Sequence, residues 1–93
     1  MTDDLNILIN KAAQVLKSFG ATDVYLFGSV AKGTNIDESD IDLAVSGIPP
    51  KFFFKAMGST MNVLKRKFDL IDLDEKNPFV EHLKSRGNLH RVL

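Results

Sequence analysis

Apolar residues recur at three- and four-residue spacing over Leu5, Leu8, Ile9, Ala12, Val15, Leu16 and Phe19. That spacing predicts an amphipathic helix, with Thr2 or Asp3 as its cap and Gly20 as its stop. The pattern then changes period. Asp23 to Phe27 (DVYLF) is short, β-branched or aromatic, and closed by Gly28, which reads as a strand running into a turn. Ile41 to Val45 reads as a second strand. After the break from Gly47 to Pro50, a second helical face runs through Phe53, Ala56, Met57, Thr60, Val63 and Leu64 up to Lys67. Phe68 to Leu73 (FDLIDL) alternates apolar and acidic residues and reads as a third strand. Asn77 caps a last helix, with Pro78 in its first turn, that runs to about Arg86 and stops at Gly87. The order helix, strand, strand, helix, strand, helix predicts an α/β (α+β) domain, a small mixed sheet of about three strands with helices packed against it.

The chain has 93 residues, the size of a single domain spanning 1–93. Hydrophobic residues make up 44% and charged residues 26%, and no apolar run approaches the roughly 20 residues a spanning helix needs, so no membrane association is expected. Twelve basic residues balance twelve acidic ones. A neutral chain gives no electrostatic case for direct nucleic-acid binding, and any polyanion is expected at one local site. The absence of cysteine removes thiolate metal sites and disulfides, and the acidic N-terminus lacks a signal peptide's basic start, so a cytoplasmic location is expected.

The chemistry concentrates in Gly28 to Val45, GSVAKGTNIDESDIDLAV. Asp40 and Asp42 stand at i and i+2, which in an extended segment sends both carboxylates to one face. They repel each other unless a cation lies between them. Oxygen donors without cysteine or a nearby histidine favour Mg²⁺, with Mn²⁺ as the alternative ion. Gly28 and Ser29 follow a predicted strand, where a glycine turn can aim backbone N–H groups at phosphate. Each signal alone has an ordinary explanation, a solvated strand end in one case and a tight turn in the other. Within fifteen residues of each other they describe a nucleoside triphosphate with its metal.

The run from Phe27 to Val45 resembles the signature of the polymerase-beta-like nucleotidyltransferases, a Gly-Ser turn followed about ten residues later by Ser-Asp-x-Asp-hydrophobic. The short chain resembles in particular the minimal nucleotidyltransferase (MNT) domains that pair with HEPN-domain proteins as antitoxin and toxin. The pattern falls on Gly28, Ser29, Gly33, Ser39, Asp40 and Asp42, with two departures: Val30 and Lys32 stand where family members often carry arginine. Lys32 keeps the charge without the bidentate grip on phosphate, so reduced affinity or turnover is one consequence of the departure. The family's third strand implies a third carboxylate. Asp69 and Asp72 have an odd separation, so they face opposite ways on a strand, and the family pattern matches Phe68 to Ile71, which selects Asp69 and leaves Asp72 as the backup.

The resemblance implies metal-dependent transfer of AMP from ATP to a hydroxyl. Two Mg²⁺ ions would be held by Asp40, Asp42 and Asp69, with Asp69 either a base or only a ligand. Gly28 and Ser29 would take the terminal phosphates, and Lys32 would offset charge on the leaving pyrophosphate. It also implies an acceptor supplied from outside, a tyrosine of a HEPN-type toxin. The alternatives are an antitoxin that acts by occlusion without catalysis, and a transferase for small molecules such as aminoglycosides. Self-association is left open. Phe52, Phe53, Phe54 and Met57 are candidates for a docking face, with at least two of them expected in the core. His82 and His90 have no carboxylates grouped around them and are expected to be solvated. Lys65, Arg66 and Lys67 are expected at a helix end, where they complement its dipole.

Overall fold

The structure is a computed structural model and describes residues 3–28, 41–86 and 89–92. Three helices are described: α1 (Asp3–Ser18), α2 (Pro50–Leu64) and α3 (Pro78–Arg86). Four strands, β1 (Asp23–Phe27), β2 (Ile41–Ser46), β3 (Phe68–Asp72) and β4 (His90–Arg91), form one sheet in the order β3-β2-β1-β4. β2 runs antiparallel to β1 and parallel to β3, and β4 runs antiparallel to β1. The sheet is therefore mixed, as the pattern predicts, but it has four strands instead of about three. β4 is only two residues long, and a pair of residues carries no hydrophobic period. Tertiary pairing creates it, through Tyr25 opposite Arg91 and Leu26 opposite His90.

Strand alternation divides the apolar residues between the two faces of the sheet. Val24, Leu26, Ile41, Leu43, Val45 and Leu70 join Leu5, Ile9, Ala12 and Leu16 of α1 and Ala56 and Leu64 of α2 in the larger core. Ala44 lies on the other face with Leu73 and Val80, and Tyr25, Phe27 and Ile71 pack around them, so α3 covers this second side. The layer order is α1 and α2, sheet, then α3. Among the described residues no helix is long and apolar enough to cross a membrane.

Helix ends follow local chemistry. α1 already includes Asp3, which is therefore not its cap, and Thr2 lies outside the described residues. α2 begins with proline in its first turn and ends at Leu64, short of the expected Lys67. Lys65 adopts a left-handed conformation (φ 52°), and its N–H donates to the Met61 carbonyl, which closes the helix before β3. Arg66 and Lys67 thus lie in the α2–β3 connection, beyond the helix end where they were expected. The side-chain amide oxygen of Asn77 accepts the Val80 N–H at 2.9 Å, the cap expected for α3. In α2, Phe53 and Met57 pack against the core, whereas Phe52 and Phe54 are exposed, Phe54 by 81%. His82 and His90 are both exposed.

Candidate active site

The register of β2 is set by what it buries. Ile41, Leu43 and Val45 are fully buried between the sheet and the helices α1 and α2. A slip by one residue would put Asp42 into that apolar layer, and an unpaired buried carboxylate costs several kcal/mol before any lost packing is counted. The core therefore holds Asp42 on the opposite face, where it is half-buried.

On that face Asp42 pairs directly with Asp69 of β3. Neighbouring strands are spaced about 4.8 Å apart, and partners on one rung of a parallel ladder project to the same side. The two carboxylates thus rise from adjacent strands on one face, with Asp69 exposed. Asp72 pairs with Val45, whose face is the core side, so it stands on the other side of the strand from Asp69. Its carboxylate accepts the Asp74 N–H at 2.9 Å, and the Asp74 carboxylate accepts the Gly47 N–H at 2.7 Å. These two aspartates tie the turn after β3 to the end of β2.

Gly28 completes the described part of the site. Phe27 is the rung partner of Asp42 on β1, and Gly28 follows it with φ at +77°. A Cβ placed on Gly28 would collide with a carboxylate oxygen of Asp42 and stand 3.1 Å from its Cγ. The absent side chain is the space that the Asp42 carboxylate occupies. Ser29, Lys32, Gly33, Ser39 and Asp40 lie outside the described residues. Among the described residues, no group of three or more His, Cys, Asp or Glu side chains is placed to hold a metal. Asp42 and Asp69 offer carboxylate oxygen only, a donor set that fits Mg²⁺ and has none of the nitrogen or sulfur ligands that zinc favours.

An aromatic pair not singled out from the sequence stands beside the acids. The rings of Phe27 and Phe79 meet edge to face, with centroids 6.5 Å apart. Phe79 is half-exposed in the first turn of α3. Its position was not legible because the helix spacing marks Val80 and Leu83 as the core residues, and Val80 is the one that packs with Ala44 and Leu73 on the sheet. A cleft of about 390 Å³ lies farther along β3, lined by Phe53, Phe54, Leu70, Asp72, Asn77 and Phe79 among others, and neither Asp42 nor Asp69 lines it.

A sequence profile of the family described as polymerase beta nucleotidyltransferase matches residues 10–89, which include both acids and the glycine turn. The chain belongs to the polymerase beta nucleotidyltransferase family. No curated protein sequence matches this nucleotidyltransferase. Solved structures do. A chain from a toxin–antitoxin complex with AMP-PNP is 25% identical, covers 90% of this chain and 71% of its own length, and superposes with a TM-score of 0.72. A structure described as a minimal nucleotidyltransferase is 24% identical over 91% of this chain and 92% of its own, with a TM-score of 0.69. A chain from a complex of a tri-AMPylated Shewanella oneidensis HEPN toxin with an MNT antitoxin is 21% identical over 94% and 70%, with a TM-score of 0.67. The last two likenesses establish the fold: three described helices on a four-stranded mixed sheet, as in the polymerase-beta-like nucleotidyltransferases.

Proposed function

We propose that this chain is an MNT-type antitoxin that transfers AMP from ATP to a tyrosine hydroxyl of a HEPN-type partner protein. The observation that carries the reading is the rung shared by Asp42 and Asp69 on the α3 side of the sheet, with the Asp42 carboxylate set against Gly28. Family membership supports nucleotidyl transfer. The similarity to a chain from a toxin–antitoxin complex that holds AMP-PNP supports ATP as donor and a toxin as partner. The AMPylated HEPN toxin in a complex of the same fold supports a protein acceptor.

Asp42 and Asp69, with Asp40 two positions before Asp42 in sequence, would hold Mg²⁺. When bound, that ion neutralises phosphate charge and makes the acceptor hydroxyl more acidic. Gly28 brings the backbone close to Asp42, and Gly28, Ser29 and Lys32 would supply backbone N–H groups, a hydroxyl donor and a positive charge to the phosphates. Asp69 is the exposed carboxylate of the pair and would be the one open to an arriving acceptor. In the transfer the acceptor oxygen forms a bond to the α-phosphorus, the bond from that phosphorus to the bridging oxygen breaks, pyrophosphate leaves, and the acceptor proton passes to the Asp69 carboxylate or, where Asp69 acts only as a ligand, to water.

Incubation with α-labelled ATP, Mg²⁺ and a HEPN-type protein tests the reading. Label is expected on the partner with the wild-type chain and none with the Asp40→Asn, Asp42→Asn double variant. A partner that is inhibited but never labelled would replace catalysis with occlusion, the outcome that Val30 and Lys32 would then explain.

A further inference from the structure

β3 is an edge of the sheet: β2 pairs with one side of it, and among the described residues no strand pairs with the other. The Lys67 carbonyl accepts the Ile41 N–H, and the Leu73 N–H donates to the Val45 carbonyl. In a parallel ladder alternate residues turn their backbone groups to the same neighbour, so the odd-numbered residues face β2. Phe68 and Leu70 therefore direct backbone groups outward, as does the N–H of Asp72, whose carbonyl accepts the Glu75 N–H of the following turn at 3.2 Å. Native edges are usually blunted by proline, a bulge or charged side chains; FDLID has neither proline nor lysine, and its charges are the two aspartates, Asp69 and Asp72. The cleft along this edge is bounded by Phe54 and Phe79, both exposed.

We propose that this edge pairs with β3 of a second copy of the chain, antiparallel and centred on Leu70, joining two sheets into one of eight strands. The argument is the order of charges along the strand: Lys65-Arg66-Lys67 precede it, and Asp72, Asp74 and Glu75 follow it. Antiparallel pairing about Leu70 carries the basic end of each copy past the acidic end of the other, and the twofold axis repeats the match. Lys67 of one copy then lies beside the turn after β3 of the other, where Glu75 is exposed, so opposite charges on long side chains come near each other. Along the strand, Phe68 faces Asp72, Asp69 faces Ile71 and Leu70 faces Leu70, so no rung opposes like charges. The two Asp69 carboxylates lie on a diagonal, where solvent screens exposed charges strongly. A parallel arrangement of the two edges would instead set basic against basic and acidic against acidic. The outward groups of Leu70 are placed for a hydrogen-bonded rung with their own twofold mate.

Sedimentation of the full chain across a concentration series at low salt tests the pairing. The wild type is expected to show a monomer–dimer equilibrium that weakens with added salt. Lys67→Glu and Glu75→Lys, both at exposed positions, should each weaken it about tenfold. The double charge swap should restore it. Amide exchange of Phe68 and Leu70 should slow as concentration rises, a readout that needs no variant. A chain that stays monomeric up to millimolar concentration overturns the proposal. So does a dimer whose affinity ignores Lys67→Glu, or a double swap weaker than either single change. Neither substitution touches Asp42 or Asp69, so loss of the dimer and loss of AMP transfer are read separately.

Discussion

The Asp42 carboxylate stands in the space that a side chain at Gly28 would fill. The turn and the acid are therefore fitted to each other, and Gly28→Ala disturbs both. The backbone there has φ at +77°, which costs an L side chain about 1–2 kcal/mol, and the new methyl group forces the carboxylate off its rung with Asp69. We expect Tm to fall by roughly 5 °C or more and AMP transfer to fall by about a hundredfold, the scale that follows from misplacing a reacting group by an ångström. Differential scanning calorimetry and the labelling assay check the two parts.

Asp69 and Asp72 stand on opposite faces of one strand, and the proposed function gives the first a chemical role and the second a structural one. Asp69 is exposed and shares a rung with Asp42, so Asp69→Asn should abolish transfer and leave Tm within about 1 °C, as expected for a surface change that removes no packing. Asp72→Ala removes the acceptor for the Asp74 N–H and should cost about 1 kcal/mol while leaving labelling of the partner intact. Transfer that survives Asp69→Asn and fails with Asp72→Ala would reverse the assignment of the third carboxylate.

These particular residues also show where the sequence was legible. The periods of Leu5 to Phe19 and of DVYLF carry their own signals, because burial of one face is a local property of a helix or strand. The odd separation of Asp69 and Asp72 likewise suffices to place them on opposite faces. What sequence spacing lacks is the lateral order of strands. That Asp42 meets Asp69 on one rung depends on α2 returning the chain to run parallel to β2. β4 arises only because β1 offers a free edge to a pair of residues whose own pattern is silent. The bond of Asp74 to Gly47 spans 27 positions that no local pattern connects.

That bond gives a third expectation. The Gly47 N–H donates to Asp74 at 2.7 Å, and Gly47 has φ at +98° with its missing Cβ position 2.8 Å from the Gly20 carbonyl oxygen. Asp74→Ala loses a charge-assisted bond on the surface and should cost about 1 kcal/mol. Gly47→Ala should cost more, because strain and collision with backbone add to each other. Urea unfolding of both variants measures the difference, and equal midpoints would show that the space around Gly47 relaxes freely.

The last expectation concerns acid. Arg91 reaches across from β4 to hydrogen-bond Asp23 at 2.7 Å and Tyr25 at 2.9 Å. The hydrogen bond from Arg91, and after it one from Thr22, holds the Asp23 carboxyl below its ordinary range. A carboxylate whose folded pKa is depressed adds stability above its unfolded value near 4, and that stability is lost as pH falls through the lower folded value. Asp23 and Arg91 are 32% and 56% exposed, so the effect is local and salt-sensitive, and it bears on the anchoring of β4 more than on global stability. The Val92 N–H, which donates to the Val24 carbonyl at 2.8 Å, is the natural reporter. Its exchange protection should be constant from neutral pH down to about pH 4 once intrinsic rates are divided out. Below that it should fall, and Arg91→Met should lower protection at neutral pH and flatten the acid limb. An unchanged profile in Arg91→Met would mean that the backbone pairing of Leu26 with His90 holds β4 unaided.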